Sequence, residues 1–170
     1  MESCKYKWDS HHIRHWGKVY AASTEQGVCQ IMFASNLKHS DLLKNKVQKK
    51  SSEYKNLQLL FEEIKSFVSG RLTEFKSPID LSDQTVFTRK VLNCCLKIPF
   101  GKYMSYGELA TKIKKPTAAR AVGQAMGRNP VPLLIPCHRV LASGDKLGGF
   151  SAGLDLKRKL LQLESISYSE

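Results

Sequence analysis

The stretch Ile135-Pro136-Cys137-His138-Arg139-Val140 constrains the fold more than any other part of this 170-residue chain, because it places a cysteine between rigid turns. Prolines precede it in Asn129-Pro130-Val131-Pro132, and four glycines follow it between positions 144 and 153. Proline fixes the backbone and glycine permits tight turns. The backbone, and not a repeating apolar pattern, is therefore expected to set the position of Cys137.

Two interpretations of Cys137 stay open on these residues alone. A thiol acts as a nucleophile when a nearby base or cation favours its thiolate, and His138 and Arg139 are the adjacent candidates. This interpretation requires the sulfur to be ionised at neutral pH. The alternative is a buried, inert cysteine on a core strand, since residues 133–135 and 140–141 are apolar.

The charge of the chain indicates a polyanionic partner. The net charge is +12, and residues 83–170 hold 14 Lys and Arg against 6 Asp and Glu. Nucleic acid is the commonest partner of such a basic field, although an unspecific basic surface is the alternative. No apolar run approaches the roughly 20 residues that span a bilayer, and the N-terminus lacks a signal-peptide core. An intracellular protein is therefore predicted.

The cysteines and histidines do not predict a metal site. Five cysteines is an odd number, and no CxxC pair is present. Cys4, Cys29 and the histidines at 11, 12 and 15 fit no compact ligand spacing. We expect no metal and no cofactor.

Residues 1–75 are predicted to form an α/β scaffold domain. Apolar segments at 19–23 and 28–34 flank a turn and predict a hairpin. The lysine-rich segment 38–52 suggests a loop or an exposed helix start. Apolar residues then recur at three- and four-residue steps from Tyr54 to Val68, which predicts a helix stopped by Gly70.

A linker at 76–84 is expected to lead into a second domain, 85–170. A helix is predicted over 86–97, with Cys94 and Cys95 in its core pattern and Pro99 beyond its end. Ser105 and Glu108 then fit a capping box at the start of the next helix.

A second short helix is predicted from Thr117, as N-cap, to about Met126. The pair, at about 105–127, matches a helix-turn-helix in a basic region. The second helix is rich in Ala and Gly, and Arg120 lies roughly 200° from Val122, so Arg120 points outward if Val122 is buried. Only Arg120 and Gln124 could read bases, which favours minor-groove binding with insertion of one arginine. Tight packing of small residues against another helix is the alternative.

A final helix is predicted at about 154–164, with Leu156, Leu160 and Leu163 on its buried face. Glu164 ends this helix, where the helix dipole disfavours an anion. This position indicates a specific partner for Glu164, although an exposed and indifferent Glu is the alternative.

The stretches quoted above, with Ser105-Tyr106-Gly107, Ala118 to Gly123 and Gly148-Gly149-Phe150-Ser151-Ala152-Gly153-Leu154, resemble the O6-alkylguanine-DNA alkyltransferases, which repair DNA by direct reversal. The resemblance is continuous over about residues 85–165. Over the first 75 residues only the order of strands and helix agrees. It implies an α/β N-terminal domain with ribonuclease-H-like strands plus a helix. A mainly α, winged-helix-like C-terminal domain with the helix-turn-helix would follow.

The resemblance implies a role for each residue of the site. Cys137 would accept the alkyl group and keep it as a thioether, in one irreversible turnover. His138 would act through a water as its base, with Glu164 orienting the imidazole. Tyr106 would donate a proton toward guanine N3, and Asn129 would bond near the active-site turn.

The family also implies how damaged DNA would be held. The base would be flipped out of the duplex, and Arg120 would fill the gap. Main-chain groups of Cys137, Val140 and Ser151 would read the guanine edge. The expected DNA-binding residues are Ser105, Tyr106, Thr117, Ala118, Ala119, Arg120 and Gln124. The expected pocket residues are Met126, Val140, Phe150, Ser151 and Ala152.

Two departures concern that pocket. Ala152 stands where many members have Gly, and Phe150 where some have Tyr, so bulky O6 groups are expected to be accepted less well. The expected partner is duplex DNA containing O6-alkylguanine, or O4-alkylthymine, with no obligate protein partner. The expected state is a monomer, with cooperative binding on DNA left open, in the nucleus if the source is eukaryotic and in the cytoplasm otherwise.

Three other functions compete with this interpretation. A non-enzymatic protein that binds alkylated DNA would lack the acceptor cysteine, which is present here. A winged-helix regulator would explain the charge but not Cys137, His138 and Glu164 together. A cysteine hydrolase would give no reason for DNA binding.

Overall fold

The computed structural model describes residues 6–33 and 51–170 and divides the chain into two compact units, one up to Leu81 and one from Ser82 onward. Most of the lysine-rich segment 38–52, together with Cys4, lies outside the described residues. Within the described part of the chain, no helix has the length and apolar character that crossing a bilayer requires.

The first unit begins with an antiparallel sheet in the order β1-β2-β3. Its strands are β1 (Lys7–Ile13), β2 (Gly17–Ser23) and β3 (Val28–Phe33). The predicted hairpin is confirmed as β2 and β3, and the register shifts between Ala22 and Ser23.

Helix α1 (Ser52–Val68) packs on this sheet and confirms the predicted helix. The Ser51 hydroxyl caps it by accepting from the Tyr54 amide at 3.1 Å. Its buried Glu63 accepts hydrogen bonds from the Ser77 amide and hydroxyl at 3.0 and 2.6 Å. Residues 76–81, predicted as part of the linker, therefore belong to the first unit.

The second unit is mainly helical. It contains α2 (Val86–Cys95), α3 (Tyr106–Lys112), α4 (Ala119–Gly127) and α5 (Leu154–Leu163). Two short strands, β4 (Met104–Ser105) and β5 (Val140–Leu141), pair in parallel. Helices α2, α3 and α4 pack on one another, and the predicted helix pair is confirmed.

Of the two N-caps predicted for the helix pair, one is confirmed and one is wrong. The capping box is confirmed, since the Glu108 amide donates to Ser105 Oγ at 3.2 Å and the Ser105 amide donates to Glu108 Oε2 at 2.7 Å. Thr117 is not the N-cap of α4. Ala118 takes that position without a side-chain cap, because the turn after Lys115 delays the helix by one residue.

Helix α5 exposes a different face from the one predicted. Leu160 is buried, but Leu156 and Leu163 are only partly so. The buried face consists of Lys157, Leu160, Leu161 and, at the C-cap, Glu164. The helix is therefore rotated toward polar partners that an apolar pattern does not indicate.

Candidate active site

The cysteine lies in a single 3-10 turn, Cys137–Arg139, that enters β5. The approach to this turn is tight, since Leu133 has a left-handed backbone (φ 80°) while its side chain is 1% exposed. Asn129 fixes the approach with three hydrogen bonds. Its Nδ2 donates to the Ile135 carbonyl and to Cys137 Sγ, both at 3.0 Å, and its Oδ1 accepts from the Val131 amide at 3.1 Å.

The Cys137 side chain is almost fully buried, and its residue is 5% exposed. Burial raises the pKa of the Cys137 thiol to about 11, against the lowering effects of the Asn129 hydrogen bond and the positive charge of Lys157. The expectation that the sulfur is ionised at neutral pH is therefore wrong for the resting protein. The thiol keeps its proton until a base removes it.

A buried chain of hydrogen bonds joins the turn to the end of α5. Glu164 Oε1 accepts from His138 Nε2 at 2.7 Å, and Glu164 also binds the Arg139 guanidinium through both oxygens, at 2.8 and 3.0 Å. The Gly101 amide donates to Glu164 Oε2 at 3.1 Å. Burial opposes ionisation, but these donors outweigh it and hold the pKa of Glu164 below its usual range. Glu164 is thus a carboxylate with specific partners, as its unfavourable position at a helix end indicated.

His138 is oriented to accept a proton. Burial lowers the pKa of its imidazole below the ordinary value, although Glu164 acts in the opposite direction. Because Nε2 donates to Glu164, the lone pair lies on Nδ1. Nδ1 is buried and has no hydrogen-bond partner among residues 6–33 and 51–170. The ring is therefore neutral at pH 7 and has one free basic nitrogen.

A cavity of about 110 Å³ opens beside Cys137. Three of the predicted pocket residues, Met126, Phe150 and Ser151, lie on its wall with Tyr106. Val140 and Ala152 do not. Val140 is fully buried on β5, where its amide donates to the Cys137 carbonyl and its carbonyl accepts from Lys157 Nζ. The remaining lining residues are Gly123, Gly127 and Gly149, which the sequence analysis did not place in the pocket.

Two glycines lie next to the Tyr106 ring and leave space for it. A Cβ at Gly148 would lie 3.4 Å from ring atom Cε2, and a Cβ at Gly123 would lie 3.9 Å from the ring. Burial raises the pKa of the Tyr106 hydroxyl, and negative charge on Cys137 would raise it further. Tyr106 is therefore protonated at neutral pH and can donate a hydrogen bond into the cavity.

The remaining predicted DNA-binding residues lie along the helix pair. Arg120, Gln124 and Thr117 are exposed, while Ala118 and Ala119 are half-buried. Val122 is fully buried, so Arg120 points outward as predicted. Met126, on the same helix, lies on the cavity wall.

The sequence analysis missed two charged residues of the site. Arg139 is 6% exposed and bonds both Glu164 and the Ile98 carbonyl, the latter at 2.6 Å. Its adjacency to Cys137 was noted, but only as a cation for the thiol. Lys157 is fully buried and donates to the Val140 carbonyl at 2.8 Å. No sequence signal separates Lys157 from Lys159, the exposed lysine of α5.

These features define a class of site: a buried cysteine, a His-Glu pair and a small cavity, all within a basic helix-turn-helix unit. Comparison with known proteins points to one family. The family model described as the DNA-binding domain of 6-O-methylguanine DNA methyltransferase matches residues 86–166.

Relatives extend the match. A methylated-DNA–protein-cysteine methyltransferase of Methanosarcina barkeri is 37% identical over 154 residues, which cover 86% of this chain and 97% of that protein. The namesake of Mycobacterium bovis is 45% identical over 103 residues, which cover 61% of this chain and 62% of that protein. A crystal structure of Mycobacterium tuberculosis OGT in complex with DNA superposes with a TM-score of 0.78 at 31% identity, covering 93% of this chain and 92% of that one. The chain belongs to the methylated-DNA–protein-cysteine methyltransferase family.

Proposed function

We propose that this protein repairs DNA by direct reversal, moving the alkyl group of O6-alkylguanine in duplex DNA to Cys137 in one irreversible turnover. The main support for this proposal is that Cys137 lines a cavity together with Tyr106, while the next residue in the chain, His138, is a neutral imidazole held by Glu164. The names of the relatives support the same chemistry. O4-alkylthymine, which presents an alkyl oxygen in a similar way, is proposed as a second substrate.

The transfer step follows from the proton positions. His138 Nδ1 takes the thiol proton through a water, and the imidazolium that forms is stabilised by Glu164. The sulfur of Cys137 forms a bond to the alkyl carbon as the bond from that carbon to O6 breaks. The electron pair of the broken bond stays on guanine, which accepts a proton. The products are a thioether and unmodified guanine.

Tyr106 assists the departure of guanine. A protonated hydroxyl on the cavity wall can donate toward the N3 edge as negative charge develops on the base. The main-chain groups of Cys137 and Ser151, which line the cavity, are proposed to read the other edges. A thioether has no easy leaving path, so each molecule acts once.

The helix pair is proposed to bind the minor groove. Exposed Arg120 on the small-residue surface of α4 would fill the gap left by the flipped nucleotide, with Ser105, Thr117, Ala118, Ala119 and Gln124 nearby. Damage arises in any sequence, so a surface with few base-reading side chains suits the task. The net charge of +12 favours phosphate binding.

The test is transfer of a labelled methyl group. Duplex DNA with ¹⁴C-methyl on O6 of one guanine is incubated with the full chain, and the label is located by peptide mapping. We expect label on Cys137 at no more than one per chain, and none on the Cys137→Ser variant. Binding without any label would instead favour the non-enzymatic alkylated-DNA-binding alternative, and more than one label per chain would contradict single turnover.

Finer features are proposed on the same basis. The first unit is a ribonuclease-H-like scaffold, and the second is winged-helix-like. The protein is a monomer without an obligate protein partner, located where it reaches DNA, in the nucleus of a eukaryote or the cytoplasm of a prokaryote. Sedimentation of the free chain and of its complexes with DNA of increasing length tests the monomer and reports any cooperativity.

A further inference from the structure

Lys157 is unusual because it is a fully buried lysine without a carboxylate. It is the only lysine classed as buried in the part of the chain that the structure describes. Its Nζ donates to two carbonyl oxygens, of Val140 at 2.8 Å and of Gly149 at 3.3 Å. No carboxylate lies within ion-pair distance of it among these residues. Burying a charge without a counter-charge is costly, so stability alone does not account for this residue.

The two carbonyls belong to different parts of the site. Val140 directly follows the active-site turn on β5, and Gly149 lines the cavity beside Cys137. The ammonium therefore ties the cavity wall to the strand that leaves the turn. Loss of this tie would free the wall from the sulfur.

The charge of Lys157 also acts on the active site. The groups whose ionisation responds to it are Cys137 and His138, both from the active-site turn, while β5 and the loop at Gly149 present carbonyl oxygens. The anion that can form beside the buried ammonium is the Cys137 thiolate. Burial lowers the pKa of Lys157 to about 8, against the raising effect of Cys137, and the charge of Lys157 in turn lowers the pKa of the Cys137 thiol.

We propose that Lys157 is a positioning residue for alkyl transfer, which holds the cavity wall to β5 and serves as the counter-charge of the Cys137 thiolate while that thiolate forms. The proposal rests on the proposed function for the identity of the reaction, but not for the effect of Lys157 on the thiol. Lys157 lies seven residues before Glu164, so α5 contributes two charged groups to the site. One helix face supplies both the cation near the sulfur and the carboxylate behind the base.

The first experiment measures thiol reactivity without DNA. Lys157→Met keeps the length of the side chain and removes its charge, whereas Lys157→Arg keeps the charge. The reaction of Cys137 with iodoacetamide is followed by mass spectrometry from pH 6 to 10. Because this whole range lies below the thiol pKa of about 11, a thiol pKa about one unit higher in Lys157→Met should appear as a rate about tenfold lower at every pH. Lys157→Arg should recover most of that loss.

Methyl transfer and DNA affinity are measured on the same variants. Lys157→Met should slow transfer at saturating DNA by at least the factor seen with iodoacetamide and leave affinity for undamaged DNA unchanged. An unchanged iodoacetamide profile in folded Lys157→Met would overturn the proposal. A wild-type chain that reacts with iodoacetamide but never accepts methyl from DNA would instead overturn the proposed function and leave this inference standing.

A second pair of variants decides the matter if Lys157→Met does not fold. Cys137→Asp places a permanent anion at the sulfur position, and Cys137→Asn has the same shape without charge. With ¹³C-labelled lysine, NMR titration should give a higher pKa for Lys157 in Cys137→Asp than in Cys137→Asn. Equal titration midpoints would show that Lys157 does not sense charge at position 137 and would overturn the proposal.

Discussion

Glu164 accepts a hydrogen bond from the His138 ring at 2.7 Å while the same carboxylate is held by the two-pronged Arg139 guanidinium. One buried anion therefore fixes the tautomer of the imidazole and neutralises a buried cation. Its removal would affect stability as well as chemistry.

Glu164→Gln should lower the free energy of unfolding by about 3 to 5 kcal/mol, because it leaves the buried Arg139 without a counter-charge. Urea unfolding followed by circular dichroism measures this change. The matched control is Glu170→Gln, which breaks a similar two-pronged pair with Arg158 on the exposed surface. That exposed pair should contribute little to the free energy of unfolding. Equal losses in the two variants would contradict the burial argument.

Stability should fall as the pH drops below about 6.5. The pKa of His138 is lowered in the folded protein, so the unfolded chain takes up the proton first as the pH falls. The stability that comes from this difference is present above about pH 6.5 and is lost progressively as the pH falls toward the pKa of the folded state. The pKa of Glu164 is also lowered, so its contribution is present above about pH 4.5 and is lost below it.

Thermal unfolding from pH 7.5 to 5 measures the His138 effect. A single proton taken up on unfolding gives a slope of at most about 1.4 kcal/mol per pH unit. His138→Gln cannot take up this proton and should flatten the slope between pH 6.5 and 5. A slope that is unchanged in that variant would assign the effect to other groups.

Asn129→Asp should make Cys137 less reactive. The variant keeps the acceptor for the Val131 amide, but replaces the donor at 3.0 Å from the sulfur with a negative charge. The pKa of the thiol should therefore rise further, so Cys137 should react more slowly with iodoacetamide between pH 6 and 10, which mass spectrometry of the Cys137 peptide measures. Asn93→Asp, an exposed position on α2, is the control. A thiol pKa that falls in Asn129→Asp would rule out this role for the Asn129 amide.

The two glycines around Tyr106 should respond differently to alanine. Gly148 has φ 64° and lies against the ring, so Gly148→Ala adds backbone strain of about 1 to 2 kcal/mol and slows methyl transfer. Gly123 lies in α4 with room for a Cβ at ordinary contact distance. Gly123→Ala should stabilise the helix by about 0.5 to 1 kcal/mol. Thermal melting and single-turnover transfer compare them, and the reverse order would refute the assignment.

Arg120→Ala should slow transfer from duplex DNA by about tenfold or more, because nothing then offsets the few kcal/mol needed to unstack the base. Transfer from a single-stranded oligonucleotide, which needs no such step, should change much less. Quenched-flow measurement of both substrates provides the internal control. Equal loss on both would mean that Arg120 acts only through general phosphate attraction.

Much of the fold follows from local sequence rules. The hairpin, α1 and the capping box at Ser105 and Glu108 could be predicted because turns, apolar periodicity and caps depend on neighbouring residues. Thr117 was misassigned as a cap, since a turn ending one residue later satisfies the same propensities.

The site depends on contacts that periodicity does not encode. The polarity of Lys157 predicts that it lies on an exposed face of α5. The residue is buried instead, and two carbonyl oxygens of the cavity region accept hydrogen bonds from its ammonium group. The ionisation of Cys137 could not be predicted either, since burial and not the adjacent His138 dominates the thiol pKa. The resemblance to a known family supplied an expected role for each site residue, and the structure supplied the hydrogen-bond partners of those residues.

Leu133 adopts a backbone conformation that glycine tolerates best, in the approach to Cys137, while its side chain fills the core. The backbone conformation therefore favours glycine at this position, whereas packing favours a large apolar side chain. Glycine would relax the backbone and open a hole, and a β-branched residue would fill the hole and worsen the backbone. No single substitution at Leu133, in the approach to Cys137, would therefore improve both the backbone conformation and the packing.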